Sequence, residues 1–266
     1  MPRSPQPGPL PLGERKRTLT AAVLARDESA TIERCLTALA WADERLVVVD
    51  AATTDDTAVR AETCGTRVIT RPFRSFPDQR NAALDLARGT WVLFVDADEV
   101  VTPELAAEIR RAVEAAGETV GFWIPRHNFI CGRWVRHAGW YPDEQLRLLR
   151  RGRARYDERR LVHELVQLDG PAGHLAQPFI HYNYANLAQF RRRQARYADL
   201  EALALHRRGV RPRLRNFILQ PLREFRRRYV TLGGYRDGLL GFQLAALLAW
   251  TTFSTYWKLE RLWRQR

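Results

Sequence analysis

The chain has 266 residues, of which 45% are hydrophobic and 27% are charged, proportions that are ordinary for a globular protein and exclude a wholly disordered one. Its length allows one large domain, or one domain with an appendage. The charge balance is unusual, because 43 Lys and Arg residues outnumber 30 Asp and Glu residues and give a net charge of +13. Such an excess predicts a polyanionic partner: nucleic acid, an anionic membrane surface or a phosphorylated substrate.

The cysteines and the first residues indicate a cytosolic protein. Cys35, Cys64 and Cys131 are odd in number and lack the spacing of a metal site, so we expect reduced core residues. No apolar signal segment is seen at the start of the sequence. Residues 1–17 are rich in proline and basic residues, and we expect a disordered tail there.

The next eighty residues alternate between short apolar runs and amphipathic stretches. Buried strands are predicted at 19–24, 46–49, 67–69 and 91–95, with a helix after each of the first three. Continuous apolar strands that alternate with helices predict a parallel sheet with helices on both faces.

Acidic residues follow three of these strands: Asp27 and Glu28, then Asp50, then Asp96 and Asp98. A parallel sheet places such strand ends on one edge, which is where ligands bind in open α/β sheets. Two carboxylates with one residue between them repel each other unless a cation joins them, and a divalent ion that holds a substrate diphosphate is the natural candidate. The alternative interpretation is a set of helix caps and solvated turn residues.

After Asp98 the pattern changes. Thr102-Pro103-Glu104 predicts a helix start, residues 120–130 predict a strand, and a loop at 137–142 precedes Asp143 and Glu144. Apolar and basic residues then alternate, so we expect a mixed sheet with antiparallel segments. The compact part is expected to end near residue 184.

The last eighty residues are predicted to be helical, basic and aromatic. Asn186 is a candidate cap for a long helix to Arg208, and residues 211–230 are helical in composition with interruptions at Pro212 and Pro221. Residues 238–257 contain no charged residue, and roughly twenty apolar residues span a bilayer. Their Thr, Ser and Gln residues and flanking aromatics favour an interfacial helix over a spanning one. A core helix of a small subdomain is the open alternative.

Four blocks of residues, in this order and spacing, carry a resemblance to a known family: Ala25-Arg26-Asp27-Glu28; Val49-Asp50 with Thr54-Asp55-Asp56-Thr57; Asp78-Gln79-Arg80-Asn81-Ala82 with Val95-Asp96-Ala97-Asp98-Glu99; and Gln145-Leu146-Arg147-Leu148-Leu149-Arg150-Arg151-Gly152. With them, residues 18–184 resemble a family 2 glycosyltransferase of the GT-A fold, and most closely the lipopolysaccharide-core glucosyltransferase branch. The resemblance implies an α/β fold, Rossmann-like, with a mixed, mainly parallel sheet, helices on both faces and a helical C-terminal extension. It also implies sugar transfer from a nucleotide diphosphate donor, with inversion and a divalent metal.

The resemblance also implies roles for single residues. Glu28 and Asp50 would hold the uracil and ribose of the donor, and Arg80 and Asn81 would lie against its nucleotide or diphosphate. Asp96 would meet the ribose or the sugar.

The metal ligand implied in the same way is Asp98, with Asp96 and His163 as further candidates, and His181 is a second histidine that could contact metal or phosphate. The catalytic base would be an acid before the Gln-x-x-Arg segment, either Asp143 or Glu144. We favour Asp143 because it follows Pro142 at the end of the loop.

The chemistry of the transfer requires such residue types. Departure of the diphosphate builds negative charge, which a metal and the arginines Arg147, Arg150 and Arg151 would stabilise. A sugar hydroxyl is a weak nucleophile, so a carboxylate that takes its proton during attack on C1 speeds the reaction. Solvated arginines without a catalytic role are the alternative.

We therefore predict a metal-dependent (Mg²⁺ or Mn²⁺), inverting transfer of a hexose from a UDP-sugar to a glycolipid or polysaccharide of the cell envelope. The predicted domains are the tail at 1–17, the catalytic domain at 18–184 and a helical extension at 185–266 that docks on anionic membrane at the cytoplasmic face. No nucleic-acid partner is expected.

Two other functions compete with this one. A sugar-phosphate nucleotidyltransferase would normally carry a glycine-rich loop after its first strand, and residues 25–29 contain no glycine. The arginine excess also fits a non-enzymatic protein that binds nucleic acid or anionic lipid.

Overall fold

The computed structural model describes residues 18–158 and 166–265, so the predicted tail at 1–17 lies outside the described residues. The strands are β1 (Leu19–Ala25), β2 (Glu44–Asp50), β3 (Arg67–Arg71), β4 (Trp91–Asp96), β5 (Glu99–Val100), β6 (Gly121–Ile124), β7 (Arg126–Ile130), β8 (Arg133–Trp134), β9 (Gln145–Arg150), β10 (Ala154–Tyr156), β11 (Val166–Leu168), β12 (Ala172–His174) and β13 (Phe179–Tyr184). The helices are α1 (Ile32–Thr37), α2 (Thr57–Thr63), α3 (Phe76–Leu86), α4 (Pro103–Glu114), α5 (Leu187–Arg207), α6 (Leu214–Arg226) and α7 (Gly238–Arg264).

The contacts divide the chain into two compact units. The first comprises the described residues of Met1–Ala97, Ala106–Phe122 and Leu146–Gly173. The second comprises those of Asp98–Leu105, Trp123–Gln145 and His174–Arg266. The predicted boundary near residue 184 separates a catalytic domain from a membrane-docking extension, and it stays a prediction.

The first unit is built on a seven-stranded sheet in the order β12-β6-β9-β4-β1-β2-β3. β1 pairs in parallel with β2 and β4, β2 pairs in parallel with β3, and β9 runs antiparallel to β4. Val92, Leu93 and Phe94 of β4 are all fully buried, although successive side chains of a strand point to opposite faces. Both faces are therefore covered, and the predicted mixed, mainly parallel sheet is confirmed.

The strand register brings the acidic strand ends of this unit to one edge. Leu24 of β1 pairs with Asp96 of β4, and Ala25 pairs with Val49, the residue before Asp50. The prediction of a shared edge is thus confirmed for the acids of the first unit, Asp27, Glu28, Asp50 and Asp96. Asp98 belongs to the second unit.

The second unit contains a four-stranded sheet in the order β5-β13-β7-β8. The single strand predicted at 120–130 is wrong, because the chain leaves one sheet at β6 and enters the other at β7. Pro125 lies at the break, and proline has no N–H to donate to a ladder. A buried cluster ties this sheet to the C-terminal helices: Ile130, Val135, Tyr184, Phe190, Leu240 and Leu244.

The C-terminal helices follow the prediction in part. The Asn186 side chain accepts a hydrogen bond from Gln189 N (2.9 Å) and caps α5, as expected. The predicted interruption at Pro221 is wrong, since α6 continues through it. Phe217 and Phe225, one on each side of the proline, pack on aromatic residues of α7.

One helical segment in the described part of the chain, Gly234–Arg264, is long and apolar enough to cross a membrane. This judgement rests on length and composition only, and a core helix of a soluble protein passes the same test.

Asn81 fastens α3 to β10 by hydrogen bonds in the interior of the first unit. Its Nδ2 donates to Tyr156 O (3.0 Å) and to Glu158 Oε1 (2.8 Å), and its Oδ1 accepts from Tyr156 N (2.9 Å). Asp85, one turn further along α3, reaches the same strand by an exposed ion pair with Arg155 (2.6 Å).

We expect Asn81→Ala to lower the free energy of unfolding by roughly 2–4 kcal/mol, because it removes two buried hydrogen bonds to the backbone of Tyr156. Asp85→Ala, which removes only an exposed ion pair, should cost less than about 1 kcal/mol. Urea unfolding of both variants measures the difference. Equal stabilities of the two variants would show that Asn81 has no such structural role.

Candidate active site

The loops after β1 and β2 are fastened to each other. Asp50 is 5% exposed and accepts hydrogen bonds from Arg26 Nη1 (3.1 Å) and Ala52 N (2.9 Å). Asp27 has a left-handed backbone, with φ of 53°, and its Oδ1 accepts from Thr54 N at 2.8 Å. These bonds hold two loops of the predicted ligand-binding edge in fixed positions.

Glu28 lies in the same pair of loops. Its backbone N donates to Thr57 Oγ1 (2.8 Å), and its Oε2 accepts from Thr31 Oγ1 (2.7 Å). Hydrogen bonds from Thr57 and Ser29 hold the pKa of Asp55 well below its usual range, so this acid is ionised at neutral pH. The structure therefore brings Glu28 and Asp50, the two predicted nucleoside contacts, to one ordered edge.

Asp96, at the end of β4, lies between two arginines. Its Oδ1 is 3.5 Å from Arg80 Nη2, and its Oδ2 forms an ion pair with Arg147 Nη2. The Arg80 guanidinium also lies over the rings of Phe94 (5.2 Å) and Tyr156 (5.6 Å). Both arginine side chains are almost fully buried, so Asp96 is held by charge on both carboxylate oxygens and is a poor candidate to bind a cation as well.

Arg150 is not brought together with Asp96. In the β4–β9 pairing Arg150 lies opposite Trp91, at the start of β4, whereas Asp96 is its last residue. Asp96 lies five residues after Trp91, so the two positions are about 17 Å apart along the strand. Arg150 Nη1 donates instead to Gly117 O (3.2 Å). We therefore leave Arg150 out of the proposed donor site.

In the second unit, Asp98 faces His181. The distance between Asp98 Oδ2 and His181 Nε2 is 3.3 Å, and His181 Nδ1 lies 2.7 Å from Asn128 Oδ1. Asn128 Nδ2 donates to Trp140 O (2.9 Å), which fixes the orientation of the amide and makes its oxygen the acceptor for His181. The Nδ1 atom of a neutral His181 then carries the proton, and Nε2 presents a lone pair to the carboxylate. Two acceptor atoms at this distance require a proton or a cation between them.

Asp143 is joined to the same network. Its Oδ2 accepts from Arg126 Nη2 (2.6 Å) and Asn128 Nδ2 (3.1 Å), and its Oδ1 accepts from Gln145 Nε2 (2.8 Å). Burial raises the pKa of Asp143, but the charge of Arg126 and the hydrogen bonds from Asn128, Arg126 and Gln145 outweigh it and hold the pKa below the usual value. Asp143 is therefore ionised at neutral pH.

Glu144, the other candidate base, has different neighbours. Its carboxylate lies 3.0 Å from His174 Nδ1, its side chain is 42% exposed, and the His174 ring stacks on Trp123. Only Asp143 is linked through Asn128 to His181 and Asp98.

Two residues of this network were missed in the sequence, Arg126 and Asn128, together with the fully buried Glu99 that pairs with Arg126 at 3.3 Å. The alternation of polar residues at 126 and 128 in a predicted strand was the signal that could have revealed them.

His163 lies outside the described residues. Within 18–158 and 166–265, no three His, Cys, Asp or Glu side chains gather that could hold a metal ion by themselves.

Comparison with known proteins agrees with this geometry. The family model for glycosyl transferase family 2 matches residues 20–167, more than half of the chain. The lipopolysaccharide core biosynthesis glycosyltransferase LpsC of Rhizobium meliloti (strain 1021) is 28% identical over 233 residues, which cover 85% of this chain and 86% of LpsC. An uncharacterized glycosyltransferase of Rickettsia bellii is 31% identical over 93 residues, 35% of this chain and 32% of that protein.

A solved structure shares the fold at low sequence identity. The mannosyltransferase PcManGT from Pyrobaculum calidifontis, in complex with GDP-Man and Mn²⁺, superposes with a TM-score of 0.50 at 15% identity, covering 95% of this chain and 89% of that one. The fold predicted from the resemblance is thereby confirmed. The family match decides against the nucleotidyltransferase and the non-enzymatic alternatives. The chain belongs to glycosyl transferase family 2 and is a glycosyltransferase.

Proposed function

We propose that this glycosyltransferase moves a hexose from a UDP-sugar to a glycolipid or polysaccharide precursor of the cell envelope, with inversion. One observation carries the proposal: Asp143 is hydrogen-bonded through Asn128 to His181, and the other ring nitrogen of His181 faces Asp98. It links the carboxylate that we propose as the base to the two side chains that we propose as metal ligands. The similarity to LpsC supports an acceptor from lipopolysaccharide core biosynthesis.

The first unit would bind the donor. Glu28 and Asp50 lie at the carboxyl edge of the sheet and are the proposed contacts for the uracil and ribose. Arg80 and Arg147, which already hold Asp96, are the proposed contacts for the sugar and the diphosphate. Fixed guanidinium groups stabilise the negative charge that develops on a leaving diphosphate, and they do so without reorganisation at the moment of reaction.

The second unit would hold a divalent metal. Asp98 Oδ2 and His181 Nε2 are an oxygen and a nitrogen donor that already face each other, and the Asn128 acceptor behind His181 is the support that metal-bound imidazoles have. Two protein ligands suffice where substrate phosphates and water complete the shell, as is common for Mg²⁺ and suits Mn²⁺. A bound cation supplies charge that neutralises the departing diphosphate. Asp96, paired with two arginines, is left out of this metal site.

Asp143 would act as the base. Oδ1 accepts one hydrogen bond, from Gln145, and a carboxylate oxygen has two acceptor positions, so Oδ1 keeps one for the acceptor hydroxyl. Arg126 and Asn128 hold the other oxygen and fix the direction of the first. Direct displacement at C1 with inversion needs one base and no enzyme nucleophile.

We also propose that the enzyme is peripheral, at the cytoplasmic face of the membrane. The exposed residues Leu239, Phe242, Trp250 and Trp257 lie on one stripe of α7 at helical spacing, which we call the α7 stripe. α6 packs alongside α7 through Phe217 and Phe253.

Exposed apolar and basic side chains are interleaved on α6: Leu214, Arg215, Ile218, Leu219, Leu222, Arg223 and Arg226. Apolar groups that insert at the interface, next to arginines that pair with lipid phosphates, are typical of helices that lie on anionic membranes.

For the base, we expect Asp143→Asn to reduce transfer by about 10²–10⁴-fold while donor binding is retained, because the general base is lost and the donor contacts are not. Glu144→Gln should transfer within a few-fold of the wild type, because the Glu144 carboxylate contacts His174, which lies outside the Asp143 network. The measurement is transfer of radiolabel from UDP-hexoses to an envelope glycolipid extract, with donor binding followed by thermal stabilisation.

The pH dependence of transfer is a second test of Asp143 as the base. Because the pKa of Asp143 lies below the usual value, protonation of Asp143 should not reduce transfer until the pH falls below the ordinary range of aspartate pKa values. Normal transfer by Asp143→Asn would rule this base out, and its combination with a loss in Glu144→Gln would move the role to Glu144.

For the membrane surface, the double variant Trp250→Ser/Trp257→Ser should bind vesicles of phosphatidylcholine and phosphatidylglycerol at least roughly tenfold more weakly, since two inserted side chains are lost. Leu200→Ser is the matched control, because Leu200 is 63% exposed, as Trp250 is, but lies on α5. Co-sedimentation measures both. Equal losses in the two proteins, or none in either, would contradict the assignment to the α7 stripe.

A further inference from the structure

We propose that a cavity in the second unit, beside β8 and the residues that precede α7, binds a phosphate or carboxylate group carried by the acceptor sugar. This inference rests on the proposed function, since it names the substrate class of the same site. The cavity has a volume of about 290 Å³ and is lined by basic, aromatic and acidic side chains: Arg133, Trp134, Arg136, His137, Arg236 and Asp237. This volume is at the small end for ligand pockets, which suits one charged sugar rather than a whole glycolipid.

The cavity is positively charged. Its three arginines, Arg133, Arg136 and Arg236, form no ion pair with a carboxylate of residues 18–158 or 166–265. The one carboxylate in the lining, Asp237, accepts hydrogen bonds from His137 N (2.9 Å) and Arg136 N (3.3 Å) and lies 3.1 Å from His137 Nδ1. Since Asp237 is bonded to these groups, the guanidinium charges are left to attract an anion from outside the chain.

Arg136 is held in a fixed plane. Its guanidinium carbon lies 4.0 Å from the centre of the Trp134 ring, and the His127 ring stacks on the same Trp134 at 3.8 Å. Burial and then the charge of Arg136 lower the pKa of His127, so its ring stays neutral in the stack. A stacked guanidinium keeps its N–H edge available and can bind two oxygens of a phosphate or carboxylate at once.

The cavity is connected to the proposed base by one aromatic cluster. The Tyr141 ring lies 5.9 Å from that of Trp134 and 5.2 Å from that of His127, and Tyr141 is two residues before Asp143. An acceptor sugar whose anionic group binds at Arg136 would therefore be anchored beside the loop that carries the base. Arg136 and Arg236 would determine acceptor specificity, and Trp134 would act as a positioning residue.

The test is calorimetric binding of glucose 6-phosphate, glucuronate, glycerol 3-phosphate and glucose to the full chain at low salt. We expect the two sugar anions to bind more tightly than glycerol 3-phosphate, which stands for a lipid headgroup, and glucose not to bind. Arg136→Gln and Arg236→Gln should each weaken binding of the sugar anions roughly tenfold, the effect of losing charged hydrogen bonds. Arg207→Gln, an exposed arginine on α5, is the control and should bind as the wild type does.

Arg136→Lys keeps the charge but not the two-oxygen geometry, so it should weaken binding in a protein of wild-type stability. Wild-type binding by Arg136→Gln, preference for glycerol 3-phosphate, or no saturable binding of any anion would each overturn the subsite. Thermal stabilisation by UDP-sugar with Mn²⁺ should be unchanged in all these variants. If UDP-sugar with Mn²⁺ does not stabilise the wild-type protein, the proposed donor is wrong. The binding of sugar anions is measured independently of the donor, so the two failures can be told apart.

Discussion

Two carboxylates with one residue between them, Asp96 and Asp98, impose the constraint on which the rest of this structure depends. Their mutual repulsion is relieved by different partners. Asp96 ends a buried strand of the first unit and is held by Arg80 and Arg147, whereas Asp98 begins the second unit and faces His181. One acid is thereby neutralised by the protein, and the other faces an imidazole, the pair that we propose as metal ligands.

Asn128 extends this arrangement to the base. A single buried amide accepts from His181 and donates to Asp143 and to the Trp140 carbonyl, so all three groups are oriented by one side chain. A buried network of this kind specifies geometry only if every member is bonded, and here each polar atom of the Asn128 amide has a partner. The second unit thus fixes, through Asn128, both the nitrogen that would bind a metal and the oxygen that would take a proton.

Local pattern was enough to predict the first four strands of the first unit. The apolar runs of β1, β2 and β4 are buried on both faces, and such continuous apolar runs predict parallel strands. The cap at Asn186 could likewise be predicted from neighbouring residues alone. The break at Pro125 was not predicted, because strands in two different sheets can follow each other in one apolar run. α6 continues through Pro221 and has aromatic contacts with α7 on both sides of the proline, and such contacts between distant parts of the chain are not visible in a local pattern.

The site was predictable to the extent that it lies at strand ends. The position of Asp50 and Asp96 at one edge was predicted in this way, whereas the position of Arg150 depends on the register of β9, which the sequence does not show. Arg126 and Asn128 act through partners 12 or more residues away in the chain, and such pairings appear only in three dimensions.

The central claim, that Asp98 and His181 together hold a divalent cation, is tested most directly by pulsed electron paramagnetic resonance of Mn²⁺ in the presence of UDP. The account predicts modulation from one imidazole nitrogen bound to the metal, which disappears in His181→Ala and persists in His206→Ala. A Mn²⁺–UDP complex of the wild-type protein without imidazole coupling, or with coupling that survives in His181→Ala, would contradict it.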